Sequence, residues 1–241
     1  MGSIGLGLPL YVFPRPLARI ASLAGDDTFI YELGGAAILG YAAALAIGVR
    51  GGVWPPMRFV ALATYAFAAL AFLAGFAALA SDQINAFVVL VLLWAVIVAY
   101  ALAQILVAHR GARAGPRDVG GWVAVVLALA TVSAAVFGLG PQLPGPFASL
   151  MGYKGTDEYI YRLAGAACFG YAVMGIQELR SLHWDDLRLP SLMALVFNGL
   201  AFLASVFEIL AGRGTLLVYL VALAAGFFTG AIAAILVRRG R

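Results

Sequence analysis

The sequence predicts an all-α membrane protein of about seven transmembrane helices, built from two parallel three-helix repeats joined by a linker helix. Three observations lead to this prediction. Of the 241 residues, 64% are hydrophobic and 11% are charged, whereas an ordinary soluble domain has roughly 25% charged residues. Seven apolar runs are long enough to cross a bilayer, and the chain aligns with itself at a constant offset of 130 residues. Lipid is therefore the expected solvent of most of the surface.

Each apolar run is close to the roughly 20 residues that a helix needs to cross a hydrocarbon core about 30 Å thick. The segments between the runs are short and rich in glycine, proline and charge, which predicts loops. A Pro-x-Pro sequence precedes two further segments, 16–24 and 146–153, and favours short helices lying in the outer interface; irregular loops are the alternative. The seven predicted spans are 29–48, 59–80, 86–107, 121–140, 159–177, 191–211 and 215–237.

The basic residues are unevenly divided between the two sides of the predicted bundle. By the positive-inside rule, the side with more Lys and Arg is cytoplasmic, so the N-terminus lies outside and the C-terminus inside, most simply in a prokaryotic plasma membrane. The net charge of +4 comes from residues in short loops and not from a basic patch, which excludes a nucleic-acid partner. The predicted cytoplasmic residues are Arg50, Arg58, Arg110, Arg113, Arg117, Arg180, Arg188, Arg238, Arg239 and Arg241; the outer ones are Arg15, Arg19, Lys154, Arg162 and Arg213.

The internal alignment runs without a gap through both halves of the chain. It divides the chain into a first repeat at 1–110, a linker loop and helix at 111–142, and a second repeat at 143–241. Residues 1–12 align with 131–142, so the chain begins partway through a helix equivalent; either that helix was lost or the true start lies upstream. Matched pairs include Pro14 and Pro144, Asp27 and Asp157, Trp54 and Trp184, and Arg58 and Arg188.

Small residues spaced four apart predict where the first helices of the two repeats meet. Gly40 and Gly170 occupy equivalent positions, each followed by a tyrosine, Tyr41 or Tyr171. Because small residues allow close approach of helices in lipid, we expect these helices to pack near a pseudo-twofold axis. The four residues form either a packing site or a solute site, since a phenol at this depth needs a hydrogen-bond partner.

Two further groups of polar residues are candidates for sites at the membrane surfaces. Glu32 and Arg162 are equivalent in the alignment and predict an ion pair near the outer ends of their helices, or a vestibule that captures a solute. At the other side, two Arg-Trp-Arg groups predict interfacial anchors or a rim that binds lipid headgroups or a partner subunit. The members of this cytoplasmic rim are Arg50, Trp54, Arg58, Arg180, Trp184 and Arg188.

The sequence has no motif for catalysis, a cofactor or a metal. The single cysteine, Cys168, lies in an apolar run, and His109 and His183 lie at the predicted cytoplasmic edge. A proton relay normally needs carboxylates or histidines at depth, and the predicted spans contain none there. We therefore expect no enzymatic activity, no cofactor and no metal.

The expected function is that of an accessory or structural subunit of a larger membrane complex or homo-oligomer. The alternative is a small transporter or carrier of a neutral or lipophilic solute, with its site between the repeats; a lipid- or quinone-modifying enzyme is the least supported. The three-one-three plan resembles the sugar-exporting SWEET family in architecture only. Those proteins use prolines inside the spans as hinges, and no proline lies within a predicted span here.

Overall fold

The protein is a bundle of long apolar helices, as the composition predicts. The computed structural model describes residues 2–52, 54–81, 84–109 and 117–239, and these form ten α-helices, one 3-10 turn and no strand. Seven helices are long and apolar enough to span a membrane, so the chain is an integral membrane protein. They are α3 (Thr28–Gly51), α4 (Trp54–Ala80), α5 (Ala86–Ala108), α6 (Gly121–Leu139), α8 (Glu158–Ser181), α9 (Trp184–Leu210) and α10 (Leu216–Arg239).

Three short helices complete the described chain: α1 (Gly2–Val12), α2 (Pro14–Ile20) and α7 (Pro144–Met151), with the 3-10 turn at Gly140–Gln142. Both α2 and α7 start at their first proline, whose fixed φ suits the first turn of a helix. The α1 helix packs along α3, and the end of α6 with the 3-10 turn packs along α8. Residues 111–116 of the predicted linker loop lie outside the described residues, as do Arg110, Arg113 and Arg241.

Several predicted helix boundaries fall short of the observed ones. The α4 helix begins at Trp54 rather than at residue 59, and α8 ends at Ser181 rather than at residue 177. The α9 helix begins at Trp184 rather than at residue 191, and it contains Pro190. The first turn carries Asp185 and Asp186, so it lies outside the apolar run by which a span is recognised, although its backbone is already helical. The expectation that no proline lies within a span therefore fails at Pro190, and also at Pro55 and Pro56 in the first turn of α4.

The long helices pack crosswise between the two halves of the chain. The α3 helix packs far more on α9 than on its neighbour α4, and α8 likewise packs more on α4 than on α9. The α3 and α8 helices also touch each other at the centre, where a methyl group added to Gly34 would lie 3.1 Å from the Cβ of Ala164. The α5 and α10 helices lie at the periphery, on α4 and α9 respectively. Segments 1–110 and 143–241 thus interlock in one bundle.

Buried aspartates join the loops that precede α3 and α8, at one end of the bundle. The Asp157 carboxylate accepts hydrogen bonds from the backbone N–H groups of Ala24 at 2.8 Å and Gly25 at 2.7 Å, and from the Tyr31 hydroxyl at 2.7 Å. Gly25 has a φ of 70°, which a residue with a side chain rarely adopts. The loop before α3 is thus shaped around a carboxylate from the other half.

Asp27 makes the matching contacts in the opposite direction. Its carboxylate accepts from the backbone N–H groups of Lys154 at 3.3 Å and Gly155 at 2.9 Å, and from the Tyr161 hydroxyl at 2.8 Å. Every partner lies 130 positions after the corresponding partner of Asp157. Because each carboxylate has three donors, its burial is compensated by charge-assisted hydrogen bonds.

Candidate functional site

The two tyrosines predicted to meet near the axis are in contact. Their ring centroids lie 5.0 Å apart. The Tyr41 hydroxyl donates to the carbonyl oxygen of Ala167 at 2.9 Å, and the Tyr171 hydroxyl donates to that of Ala37 at 2.8 Å. Both phenols therefore use their protons on backbone oxygens of the facing helix.

The two glycines make room for these hydroxyls. A methyl group at Gly40 would collide with the Tyr171 hydroxyl, and one at Gly170 would collide with the Tyr41 hydroxyl. The new methyl at position 40 would also lie 2.9 Å from the carbonyl oxygen of Met193 on α9. Of the two interpretations of Gly40, Tyr41, Gly170 and Tyr171, this geometry favours packing.

The ion pair predicted between Glu32 and Arg162 is not formed. Arg162 pairs with Glu158, one turn earlier on its own helix, at 2.8 Å. Side chains four residues apart on a helix are neighbours, and here Arg162 pairs with this local carboxylate rather than with one on another helix. Glu32 instead lies near Glu208 and Arg213 and interacts with both electrostatically.

The charged group of Glu32, Glu208 and Arg213 contains a buried carboxylate. The Glu208 side chain is 5% exposed, and the Arg213 guanidinium donates to both of its oxygens at 2.8 Å. This bidentate contact, together with the negative charge of Glu208, raises the pKa of Arg213. The group consists of a satisfied pair with Glu32 beside it, which favours a structural role.

The residues of the predicted rim lie at the opposite end of the bundle, called here the arginine-rich end. Arg50 and Arg180 are exposed in the last turns of α3 and α8. The Trp54 ring stacks on His109 with centroids 4.3 Å apart, whereas the Trp184 backbone N–H donates to Asp118 at 2.8 Å. The two tryptophans thus have different surroundings.

The two arginines that follow these tryptophans are placed by the first turns of their helices. Arg58 lies half-buried on α4 and Arg188 is exposed on α9. Arg188 lines a shallow depression together with Gly48 and Gly51 of α3 and Pro56 of α4. Part of the second Arg-Trp-Arg group thus lies beside the first half of the chain, and the symmetric rim stays a prediction.

A long cleft, which the sequence reasoning did not predict, lies between α6 and α10. These two helices barely touch, and α8 and α9 form the floor behind them. The cleft holds about 940 Å³ of space free of protein atoms, part of it open to the outside. Its lining runs from Val123 to Phe137 along α6, which is about 21 Å of helix at roughly 1.5 Å per residue. The lining is mostly aliphatic and aromatic.

Small residues stand in the wall of the cleft at positions where the first half has large ones. Trp94 of α5 packs on Phe67 with ring centroids 5.2 Å apart. At the positions 130 residues later stand Ala224 and Phe197, and both line the cleft. The missing indole ring leaves part of the free space.

A second replacement of this kind lies on α8. Leu45 packs against the core of the first half, whereas its counterpart is Gly175. A methyl group at Gly175 would collide with the side chain of Thr131 on α6. Glycine at this position therefore lets α6 approach α8 and places the Thr131 hydroxyl at the cleft wall.

The most unusual residue of the cleft is Glu178. Its side chain lines the cleft, the residue is 4% exposed, and its buried Oε1 has no hydrogen-bond partner among the described residues. The counterpart in the first half is Gly48, where the side chain of Met57 fills the space. A buried polar atom without a partner normally costs free energy, so such an atom in a cleft points to a ligand.

Two other polar residues of the cleft have hydrogen bonds within their own helices. The Thr131 hydroxyl donates to the carbonyl oxygen of Leu127 at 2.7 Å, and the Asn198 amide donates to that of Ala194 at 2.8 Å. The buried thiol of Cys168 is part of the same lining. Among the described residues that line the cleft, Glu178 is the one with a fully buried side-chain polar atom that has no hydrogen-bond partner.

Sequence reasoning missed Glu178 because it lies one residue beyond the predicted span 159–177. The α8 helix continues to Ser181, which places this carboxyl inside the bundle. The signal that could have found it is the internal alignment, in which a glutamate stands opposite a glycine.

Comparison with known proteins found no matching family model, no similar curated sequence and no similar solved structure.

Proposed function

We propose that this protein is a carrier or binding protein that takes a molecule with an apolar chain from the bilayer into the cleft between α6 and α10. The observation that carries the proposal is the cleft itself, which is long, mostly apolar and bounded by two helices that barely touch. The part of the cleft that a water-sized molecule can enter measures about 70 Å³, less than the roughly 300–1,000 Å³ of most small-molecule sites, so the ligand must be slender. An opening between two outer helices gives a lipophilic molecule a direct path from lipid.

We also propose that the chain is an internal duplication with pseudo-twofold symmetry, and that binding belongs to the second copy alone. The reciprocal hydrogen bonds of Asp27 and Asp157 support the symmetry. The first copy fills the corresponding space with Trp94, whereas the second has Ala224. The solute site expected on the axis is thereby moved to one side of the bundle.

Photolabelling tests the proposed binding site. The protein is placed in lipid nanodiscs with a long alkyl probe that carries a photoreactive diazirine, and labelled peptides are identified by mass spectrometry. We expect labelling of α6 and α10 residues that line the cleft, and its loss in the variant Ala224→Trp, which restores the indole of the first copy.

The matched control is Leu223→Trp, which adds the same ring one position away on the outer face, where Leu223 is 75% exposed. This variant should keep the labelling pattern of the wild type. If Ala224→Trp folds and is still labelled in the cleft like the wild type, the proposed site is wrong.

For orientation we propose that the arginine-rich end is cytoplasmic, in a prokaryotic plasma membrane. Arg180, Arg238 and Arg239 lie in the last turns of their helices, and the positive-inside rule puts such residues in the cytoplasm. A cysteine at Arg117 should resist an impermeant thiol reagent in intact cells, and one at Lys154 should react. The reverse pattern would show the opposite orientation.

A second proposal is that the protein serves as an accessory subunit, favoured by the surface of α5. This helix packs on α4 and turns a face of large apolar side chains outward. Either lipid or a neighbouring subunit can cover such a face, so the test is purification from native membranes in mild detergent. A stoichiometric partner would support this proposal, and a lone monomer would contradict it. The exposed side chains include Leu90, Leu93, Ile97 and Tyr100.

A further inference from the structure

We infer that the cleft selects a neutral molecule with a hydroxyl group at one end of its apolar chain, and that this hydroxyl binds Glu178. The inference rests on the proposed function, since it specifies the ligand class of the same cleft. It also fixes the orientation of the ligand, with the hydroxyl toward the arginine-rich end and the chain toward Tyr171.

The first step of the argument is the state of the Glu178 carboxyl. The residue is 4% exposed, and its Oε1 has no hydrogen-bond partner among the described residues. The carboxyl lies one turn before the end of α8. A buried carboxyl without a partner is unfavourable whether it is protonated or ionised. A ligand group that forms a hydrogen bond with it would remove part of this cost.

The second step is the choice of a hydroxyl over other polar groups. A carboxylate only accepts hydrogen bonds, whereas a protonated carboxyl both donates and accepts. A hydroxyl can donate to the first and can donate to or accept from the second, so it satisfies Glu178 in both states. A keto group satisfies only the protonated state, because it has no proton to donate.

The third step excludes a charged headgroup. An ammonium has three protons to place, but the cleft near Glu178 is walled by an apolar cluster from α6, α9 and α10. An ammonium could meet the Glu178 carboxylate on one side only, so its remaining N–H groups would face the apolar wall without partners, which is costly. The cluster consists of Val123, Val126, Leu127, Leu187, Phe228, Ile232 and Ile235.

The fourth step gives the direction of the chain. On α8 the lining continues from Glu178 back to Cys168, which is about 15 Å toward the middle of the helix at roughly 1.5 Å per residue. Because Glu178 lies near the end of α8, the cleft extends from it toward the middle of the helix. A straight alkyl chain and a polyprenyl chain both meet these conditions, so the shared chemistry is a terminal hydroxyl on an apolar chain.

The test compares two diazirine probes of equal length in nanodiscs: hexadecanol and hexadecane derivatives that carry the photoreactive group at the same carbon. For the wild type we expect the alcohol to label the cleft about fivefold to tenfold more than the alkane, since one net hydrogen bond contributes about that factor. The variant Glu178→Gln keeps an acceptor and a donor and should retain the preference. The variant Glu178→Leu should lose it.

Controls separate this inference from the proposed function and from misfolding. Gln177→Leu removes the neighbouring polar side chain, which does not line the cleft, and should leave the preference unchanged. Should Glu178→Leu fail to fold, Glu178→Gly, which restores the residue of the first half, takes its place. Competition with an unlabelled polyprenyl alcohol shows whether a branched chain also fits.

The outcomes are distinct. Equal labelling of the cleft by alcohol and alkane in the wild type would overturn the inference while the proposed function stands. Stronger labelling by a hexadecylamine probe that is lost in Glu178→Gln would also overturn it, in favour of a cationic ligand. If no probe labels the cleft, the proposed function itself fails.

Discussion

Asp27 and Asp157 each accept hydrogen bonds from the loop that leads into the other. Asp27 binds backbone N–H groups two and three residues before Asp157, and Asp157 binds those two and three residues before Asp27. Two loops far apart in sequence are thus held by each other's carboxylates. This relationship fixes how the starts of α3 and α8 are placed, and with them the centre of the bundle.

Replacing Asp157 with alanine should strongly destabilise the protein. The substitution leaves two backbone N–H groups and one phenol without their acceptor. The contributions of neighbouring hydrogen bonds do not add, so we expect a loss of about 3–5 kcal/mol, the cost of removing one partner of a buried charged contact. Asp27→Ala should have a similar effect. Unfolding followed by circular dichroism in detergent measures both. The control is Asp26→Ala, since Asp26 makes a surface pair with Lys154 at 3.4 Å and its loss should cost under about 1 kcal/mol.

At the centre, Tyr171→Phe should be mild and Gly40→Ala severe. The first removes one hydrogen bond worth about 1 kcal/mol. The second forces a methyl group against the Tyr171 hydroxyl and the Met193 carbonyl, so it should lower the unfolding temperature more. Gly230→Ala is the control, because a methyl group there meets open space. An effect of Gly230→Ala as large as that of Gly40→Ala would contradict the packing explanation.

Trp94→Ala should open a second cleft in the first half. The indole is partly buried against Phe67, so we expect a loss of about 2–4 kcal/mol, at or below the range for a fully buried ring. Alkyl-probe labelling should then also appear on α4 and α5. Trp122→Ala removes a ring that is 47% exposed and should produce neither effect. Labelling that stays confined to the second half would show that other residues close the first.

Arg213→Ala should destabilise by leaving the buried Glu208 carboxylate unpaired. Because the guanidinium is half-exposed and partly screened by solvent, we expect about 1–2 kcal/mol. Adding Glu208→Gln removes the uncompensated charge and should restore part of the loss, which a double-mutant cycle measures. Lys154→Ala, which breaks an exposed pair, serves as the control. If Arg213→Ala costs no more stability than Lys154→Ala, the bidentate contact does not stabilise Glu208.

The sequence predicted the parts of the fold that depend on length and composition. All seven apolar runs correspond to long helices, because a run of apolar residues without breakers is helical wherever it meets lipid. The error at Pro190 has the same origin. Apolar composition identifies the segment that lies in the hydrocarbon core, whereas the helix itself can extend beyond that core. The contact of Tyr41 with Tyr171 could be expected because small residues at helical spacing show where two helices approach.

The arrangement of helices and the candidate site could not be predicted in this way. Helices that are apolar all round give no signal for which face meets which neighbour, so the crosswise packing of α3 on α9 stayed hidden. The predicted partner of Arg162 was wrong because local pairing along a helix competes with pairing across the bundle. The cleft depends on small side chains, such as Ala224, at positions where a larger one would fill the space. A sequence does not show which small residues leave space unfilled in the folded protein.

The crosswise packing has a consequence for biosynthesis. When the ribosome has released the first three spans into the membrane, α3 still lacks its main neighbour, α9, and α4 lacks α8. These helices remain in lipid, with faces rich in alanine and glycine uncovered, until the rest of the nascent chain is inserted. Final assembly is therefore a late event that follows translation of α9, and a chain truncated before that point has nothing to assemble around.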